Sequence, residues 1–228
     1  MTRNLDTVKR LCHHSDMDAS ASPPRPESVK DALIAAGLAL LEQSGPESLT
    51  LRKVAALAGV SHAAPAHHFN GISGLLTAMA AQAFDLFTAT MVARRDAAGS
   101  DPFARLCGIC DGYVDFARDH GGYFHLMFLR PNLDRCDLDL AEASGHAFAV
   151  LRNGCLPFTA DGHPDPSLET GVWSLVHGYA SLGFADAETR AERGETDSGL
   201  TDILRRFLDG PRRKVSDANP LASGDQLQ

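Results

Sequence analysis

From Glu27 onward the chain repeats one pattern: apolar residues three or four apart, broken at intervals by glycine, proline or serine. That spacing puts apolar side chains on one face of a helix. Glu27 to Gln43 carries Val29, Leu33, Ala36, Leu40 and Leu41 on one stripe and ends at Ser44-Gly45-Pro46, a stop signal. Thr50 then stands as an N-cap before Leu51, Val54, Ala55 and Ala58, and Gly59 closes that short helix in a left-handed turn. Val60 fills the turn's interior, and Ser61 is placed to cap a next helix from His62 to about Phe69. Pro65 falls at the fourth position of that helix, where its ring removes one backbone bond and crowds the Ser61 carbonyl. Near a helix entrance the cost is tolerable, and the ring stiffens the first turn.

The remainder reads the same way. Ser73 to about Ala98 carries Leu75, Leu76, Met79, Ala83, Leu86, Phe87 and Met91, and this helix connects the head to the body. Asp101-Pro102 opens another with Phe103, Leu106, Cys107, Cys110, Val114 and Ala117 on its stripe, closed by Gly121-Gly122. A short aromatic helix, Tyr123 to Leu129, stops at Pro131, and residues 137 to 153 form one more through Leu140, Ala143, Ala147, Val150 and Leu151. After a Pro/Gly-rich loop, Ser167 to Ala187 carries Val172, Trp173, Val176, Ala180 and Phe184, with Gly171, Gly178 and Gly183 nearby to let another backbone approach. Gly199 to Asp209 is the last amphipathic helix. No segment alternates with a period of two, so the expected class is all-α.

The chain thus divides into four regions: a polar arm at 1–26 ending in Ser22-Pro23-Pro24-Arg25-Pro26, a three-helix head at 27–72, a helical body at 73–210, and a polar tail at 211–228. Met17 is a second candidate start. Two short helices joined by a tight turn make a helix-turn-helix, and that unit points to DNA.

Composition narrows the class. A chain of 228 residues with 44% hydrophobic content can bury a sizeable core. Its net charge of −8 argues against indiscriminate nucleic-acid binding, but residues 1–70 hold seven Lys/Arg and seven Asp/Glu, so the acidity belongs to the body. No stretch approaches the roughly 18 consecutive apolar residues of a membrane span. Lys9, Arg10, His13, His14 and Asp16 stand where a signal peptide needs its apolar core, so the expected location is cytoplasmic. Five cysteines without framework spacing fit reduced thiols.

Thr50, Leu51, Val54, Ala55, Ala58, Gly59, Val60, Ser61, His68, Phe69 and Leu75 resemble the head of TetR-type (TetR/AcrR) transcriptional regulators. Trp173-Ser174-Leu175-Val176-His177-Gly178 resembles the Trp-x-x-x-His-Gly motif in the C-terminal domain of one subgroup. The chain departs from the family where Ala66 replaces a phosphate-touching tyrosine and Ile72 replaces a lysine, so its grip on phosphate is weaker or differently distributed. The resemblance implies a homodimer through the last two helices, a palindromic double-stranded DNA operator, and a small-molecule effector that releases it, with neither cofactor nor membrane. Ser61, His62 and Ala63 then lie within reach of base edges, and Thr50, Arg52, Lys53, His67 and His68 become the phosphate contacts. A body cavity would draw on Tyr113, Phe116, His125, Met127, Phe128, Phe148, Trp173 and His177, although such residues also build plain cores. The density of histidines in the head leads to one further expectation, that operator affinity rises as pH falls from about 7.5 to 6.

Other chemistries are weaker. His62, His67 and His68 could ligate a metal, and Cys107-x-x-Cys110 could be a redox pair, which together would make a metal- or redox-responsive regulator. Both cysteines lie on an apolar stripe, however, which favours buried structural thiols. Gly71-Ile72-Ser73-Gly74 lacks the glycine a nucleophile elbow needs where Leu75 stands, and no phosphate-binding loop occurs, so the chain does not read as an enzyme. A helical interaction protein that binds no DNA remains the other alternative.

Overall fold

The structure, a computed structural model, describes residues 28–129, 133–183 and 199–209. The expected arm, the tail, the Pro131 stop and the last residues of the 167–187 helix lie outside them. The described residues form α1 (Val29–Ser44), α2 (Leu51–Leu57), α3 (Ala64–His68), α4 (Gly71–Ala97), α5 (Pro102–Asp119), α6 (Gly121–Leu129), α7 (Leu138–Cys155), α8 (Pro166–Ser181) and α9 (Leu200–Asp209). Short 3₁₀ turns lie at Pro46–Ser48 and Leu156–Phe158, and there is no strand among the described residues.

Four of the long helices start where the sequence supplies a side-chain cap, while α4 starts after Asn70 without one. The side chains of Ser28, Asp101, Asp137 and Asp165 accept from backbone amides of the first turns of α1, α5, α7 and α8. In α1 the buried face is Leu33, Ile34, Ala36, Gly37, Leu38 and Leu41, while Val29 is 42% exposed and does not join the predicted stripe.

The body is organised around α4, whose Leu75, Met79, Phe87 and Met91 are fully buried. At 27 residues, with an 18-residue window of mean hydropathy 1.4, α4 has the length and apolarity of a membrane span. Its position explains this: α1, α3, α5, α6 and α7 all pack on it, so it is apolar on several sides. The closest approach is to α5, where a Cβ on Gly108 would fall 2.7 Å from the Arg94 carbonyl and one on Gly112 2.8 Å from the Met91 Cα. Only glycine fits two backbones this near. The Asp115 carboxylate then ties α5 to Arg94 of α4 and, at 2.7 Å, to Arg118 on its own helix.

Candidate nucleic-acid interface

Thr50 opens α2 as its sequence position predicts, its Oγ1 accepting from the Lys53 amide at 3.3 Å. The helix ends at Ala58, and Gly59 follows at φ 68°. The Gly59 N–H donates to the Ala56 carbonyl at 3.2 Å and the Val60 N–H to the Ala55 carbonyl at 3.0 Å. This pair of bonds satisfies carbonyls that the helix end leaves bare, and it fixes the direction in which the chain leaves.

The second helix begins later than predicted. Ala63 is the N-cap, without a side-chain bond, and α3 runs Ala64–His68. Ser61 is therefore not a side-chain cap: its carbonyl, not its hydroxyl, takes part, accepting from the Ala64 amide at 3.0 Å. Ser61, His62 and Ala63 lie in the turn before the helix. Pro65 gives the reason. It sits in the second helical position, where a missing N–H costs nothing and a fixed φ suits the first turn, so the expected lost bond and the clash at a fourth position do not arise.

Exposure splits the unit cleanly. Val54, Ala55, Pro65 and Phe69 are buried, whereas Thr50, Arg52, Lys53, Ser61, His62, Ala63, His67 and His68 are all exposed. All eight residues predicted to meet DNA are thus held at the surface by a scaffold anchored beneath them. They offer a guanidinium, an ammonium, imidazoles and hydroxyls, the donors that phosphate oxygens and base edges accept from. Ala66 and Ile72 are exposed as well and add no polar donor. His68 has a second neighbourhood, for it lines a crevice of about 180 Å³ between head and body with Lys30, Phe69, Thr77, Asp134 and Asp137.

The residues predicted for a body cavity divide. Tyr113, Phe116 and Met127 are fully buried, and Phe128, Trp173 and His177 are half-buried beside them. The Tyr113 ring meets Phe87 at 4.8 Å and Trp173 at 5.7 Å, both edge-on, and its hydroxyl lies 2.7 Å from His177 Nδ1. Burial raises the Tyr113 phenol above its ordinary range and lowers His177, which suits a phenol O–H donating to a neutral imidazole. Two residues do not belong: His125 is exposed, and Phe148 is 37% exposed, touching the cluster only at its edge through Trp173. Phe87 and Phe124, absent from the prediction, are central members.

The thiols are structural in setting. Cys107, Cys110 and Cys155 are buried and free, and Cys136 is exposed. Burial pushes all three buried thiols up, Cys155 to about 12 with a further contribution from the Glu169 charge. Protonated thiols are poor nucleophiles and poor ligands. Among the described residues no three His, Cys, Asp or Glu side chains gather as a metal site requires.

Comparison with known proteins agrees with this geometry. Residues 33–79 match the model of bacterial regulatory proteins of the tetR family, and residues 106–212 match the tetracyclin repressor-like C-terminal domain. No curated protein matches the chain. Among solved structures, a protein of unknown function from Rhodococcus sp. RHA1 is 27% identical, with a TM-score of 0.61 over 83% of this chain and 96% of its own. The TetR family transcriptional regulator PfmR from Thermus thermophilus is 17% identical, with a TM-score of 0.52 over 83% and 95%. The TetR-like regulator LfrR from Mycobacterium smegmatis, solved in complex with proflavine, is 19% identical, with a TM-score of 0.50 over 79% and 95%. These last two bear on the fold alone.

Proposed function

The chain belongs to the TetR family of transcriptional regulators, and from that membership we propose that it is a cytoplasmic homodimeric repressor of a palindromic operator, released by a small molecule. The observation that carries the reading is the exposure of Ser61, His62, Ala63, His67 and His68 on a helix-turn-helix whose Val54, Ala55 and Phe69 are buried. Ser61, His62 and Ala63 read base edges in the major groove, while Thr50, Arg52, Lys53, His67 and His68 hold phosphates.

Dimerisation is assigned to α8 and α9. Phe207 of α9 seats its ring over Gly171 of α8, and Leu182 and Phe207 remain 58% and 41% exposed, an apolar margin suited to a second copy. The Trp173 and His177 pair marks the effector region at the edge of the aromatic cluster, in keeping with the subgroup motif. LfrR, solved with bound proflavine, shows that a protein of this fold can hold a small molecule. The metal- and redox-responsive readings gain nothing from buried, protonated thiols.

Selection of bound fragments from the source genome tests the proposal. Enrichment of a two-fold symmetric sequence, with half-sites about 34 to 36 Å apart or a multiple of that, is the expected outcome. Recovery of fragments with no shared sequence overturns it.

A further inference from the structure

The head meets the body at a second place besides the start of α4, and this joint is built from side chains far apart in the sequence. The last turn of α1 rests on the corner where α5 passes into α6. Gly122 brings the two close: a Cβ there would lie 3.3 Å from Leu41 Cγ and 3.4 Å from the Leu41 carbonyl. Beside this contact His120 Nδ1 lies 2.7 Å from Glu42 Oε1. A carboxylate only accepts, so Nδ1 carries the hydrogen. The Tyr123 ring stacks on the His120 ring at 5.2 Å and 11° and so fixes its plane. Burial, then the Glu42 charge, then a hydrogen bond to Glu42 push the Tyr123 phenol up, which keeps it a donor beside that carboxylate.

Two properties suit the joint to a moving part. His120 and Glu42 are 32% and 38% exposed, and a hydrogen bond this wet adds little to stability, so it opens without unfolding either side. A continuous run of rings also leads away from it into the body: His120 to Phe116 at 5.2 Å, Phe116 to Phe87 at 5.1 Å, Phe87 to Tyr113 at 4.8 Å, then the 2.7 Å bond to His177. Packed rings of this kind give a displacement near Trp173 and His177 a physical route to the head.

We propose that Glu42, His120 and Tyr123 form a latch that fixes the angle of the helix-turn-helix head on the body, and that opening it lets the head swing on α4. Glu42 and His120 are positioning residues that touch no DNA. The latch concerns the two-part fold and is tested without DNA, so its failure is separate from failure of the repressor reading.

The test is a distance distribution between spin labels on the full chain, one at Lys53→Cys in the head and one at Ser144→Cys in the body. Cys12→Ser and Cys136→Ser remove competing thiols, and excess unlabelled protein leaves one labelled copy per dimer. The parent gives one narrow distance. Glu42→Ala and His120→Ala each broaden it or add a second population, and the double variant does no more than either alone. Glu42→Asp, which keeps the charge but shortens the reach, behaves like Glu42→Ala. Unchanged helical circular dichroism in each variant excludes unfolding as the cause. A parent-like distribution in either single variant, or additive effects in the double, overturns the latch.

Discussion

His177 shows how one residue can be ambiguous in sequence and definite in structure. Its place one turn after Trp173 suits a ligand contact or a core histidine equally, and only folding reveals Tyr113, 64 positions away in the chain, at 2.7 Å. Burial lowers its pKa, so the folded protein refuses a proton that the unfolded chain accepts below about 6.5. The stability this group contributes is complete above that pH and is lost as pH falls toward the lowered folded value. Urea unfolding at pH 7.5 and 5.5 should therefore show a smaller loss for His177→Gln than for the wild type; equal losses would assign the pH dependence to other groups. Pro65 is the opposite case, since its preference for a first turn is present in the sequence and places the helix start at Ala64. Of the two local signals at this entrance, the proline outweighs the Ser61 hydroxyl. His125 could not be placed from its sequence, because α6 is apolar on nearly every side and offers no stripe from which to read an inward face.

At the scale of elements, most of the helices were legible because each carries its own stop or cap. Thr50 and Gly59 frame α2, and Asp101-Pro102 opens α5. The packing between elements was not legible in the same way, since the tightest contact depends on two glycines inside a helix, where glycine ordinarily only weakens it. Gly112→Ala drives a methyl to 2.8 Å from the Met91 Cα and 2.9 Å from the Thr90 carbonyl, so α4 and α5 must part. The expected cost is about 1–3 kcal/mol. Gly145 on α7 has open space around its missing Cβ, and Gly145→Ala should stabilise by about 0.5–1 kcal/mol. Urea unfolding of both variants checks the pair, and effects of the same sign would contradict the close approach. The Glu42 to His120 joint left no local mark at all, because its partners stand 78 residues apart and each looks like an ordinary polar surface residue.

For the molecule as a whole, charge and exposure together define what the head must do. The chain carries −8, yet the described head balances Lys30, Arg52 and Lys53 against Asp31, Glu42 and Glu47. Bulk attraction to phosphate is therefore weak, and in the proposed dimer affinity has to come from a few directed contacts made twice over. A protein of this kind discriminates between sequences strongly or scarcely binds at all. Fluorescence anisotropy at about 0.15 M salt, comparing a duplex of the selected site with its scrambled version, measures that discrimination most directly. The wild type should prefer the selected duplex by at least about a thousandfold, His62→Ala should lose about 1–3 kcal/mol of preference at one base position, and Lys53→Ala should weaken both duplexes alike. Equal affinity of the wild type for the two duplexes would contradict the account.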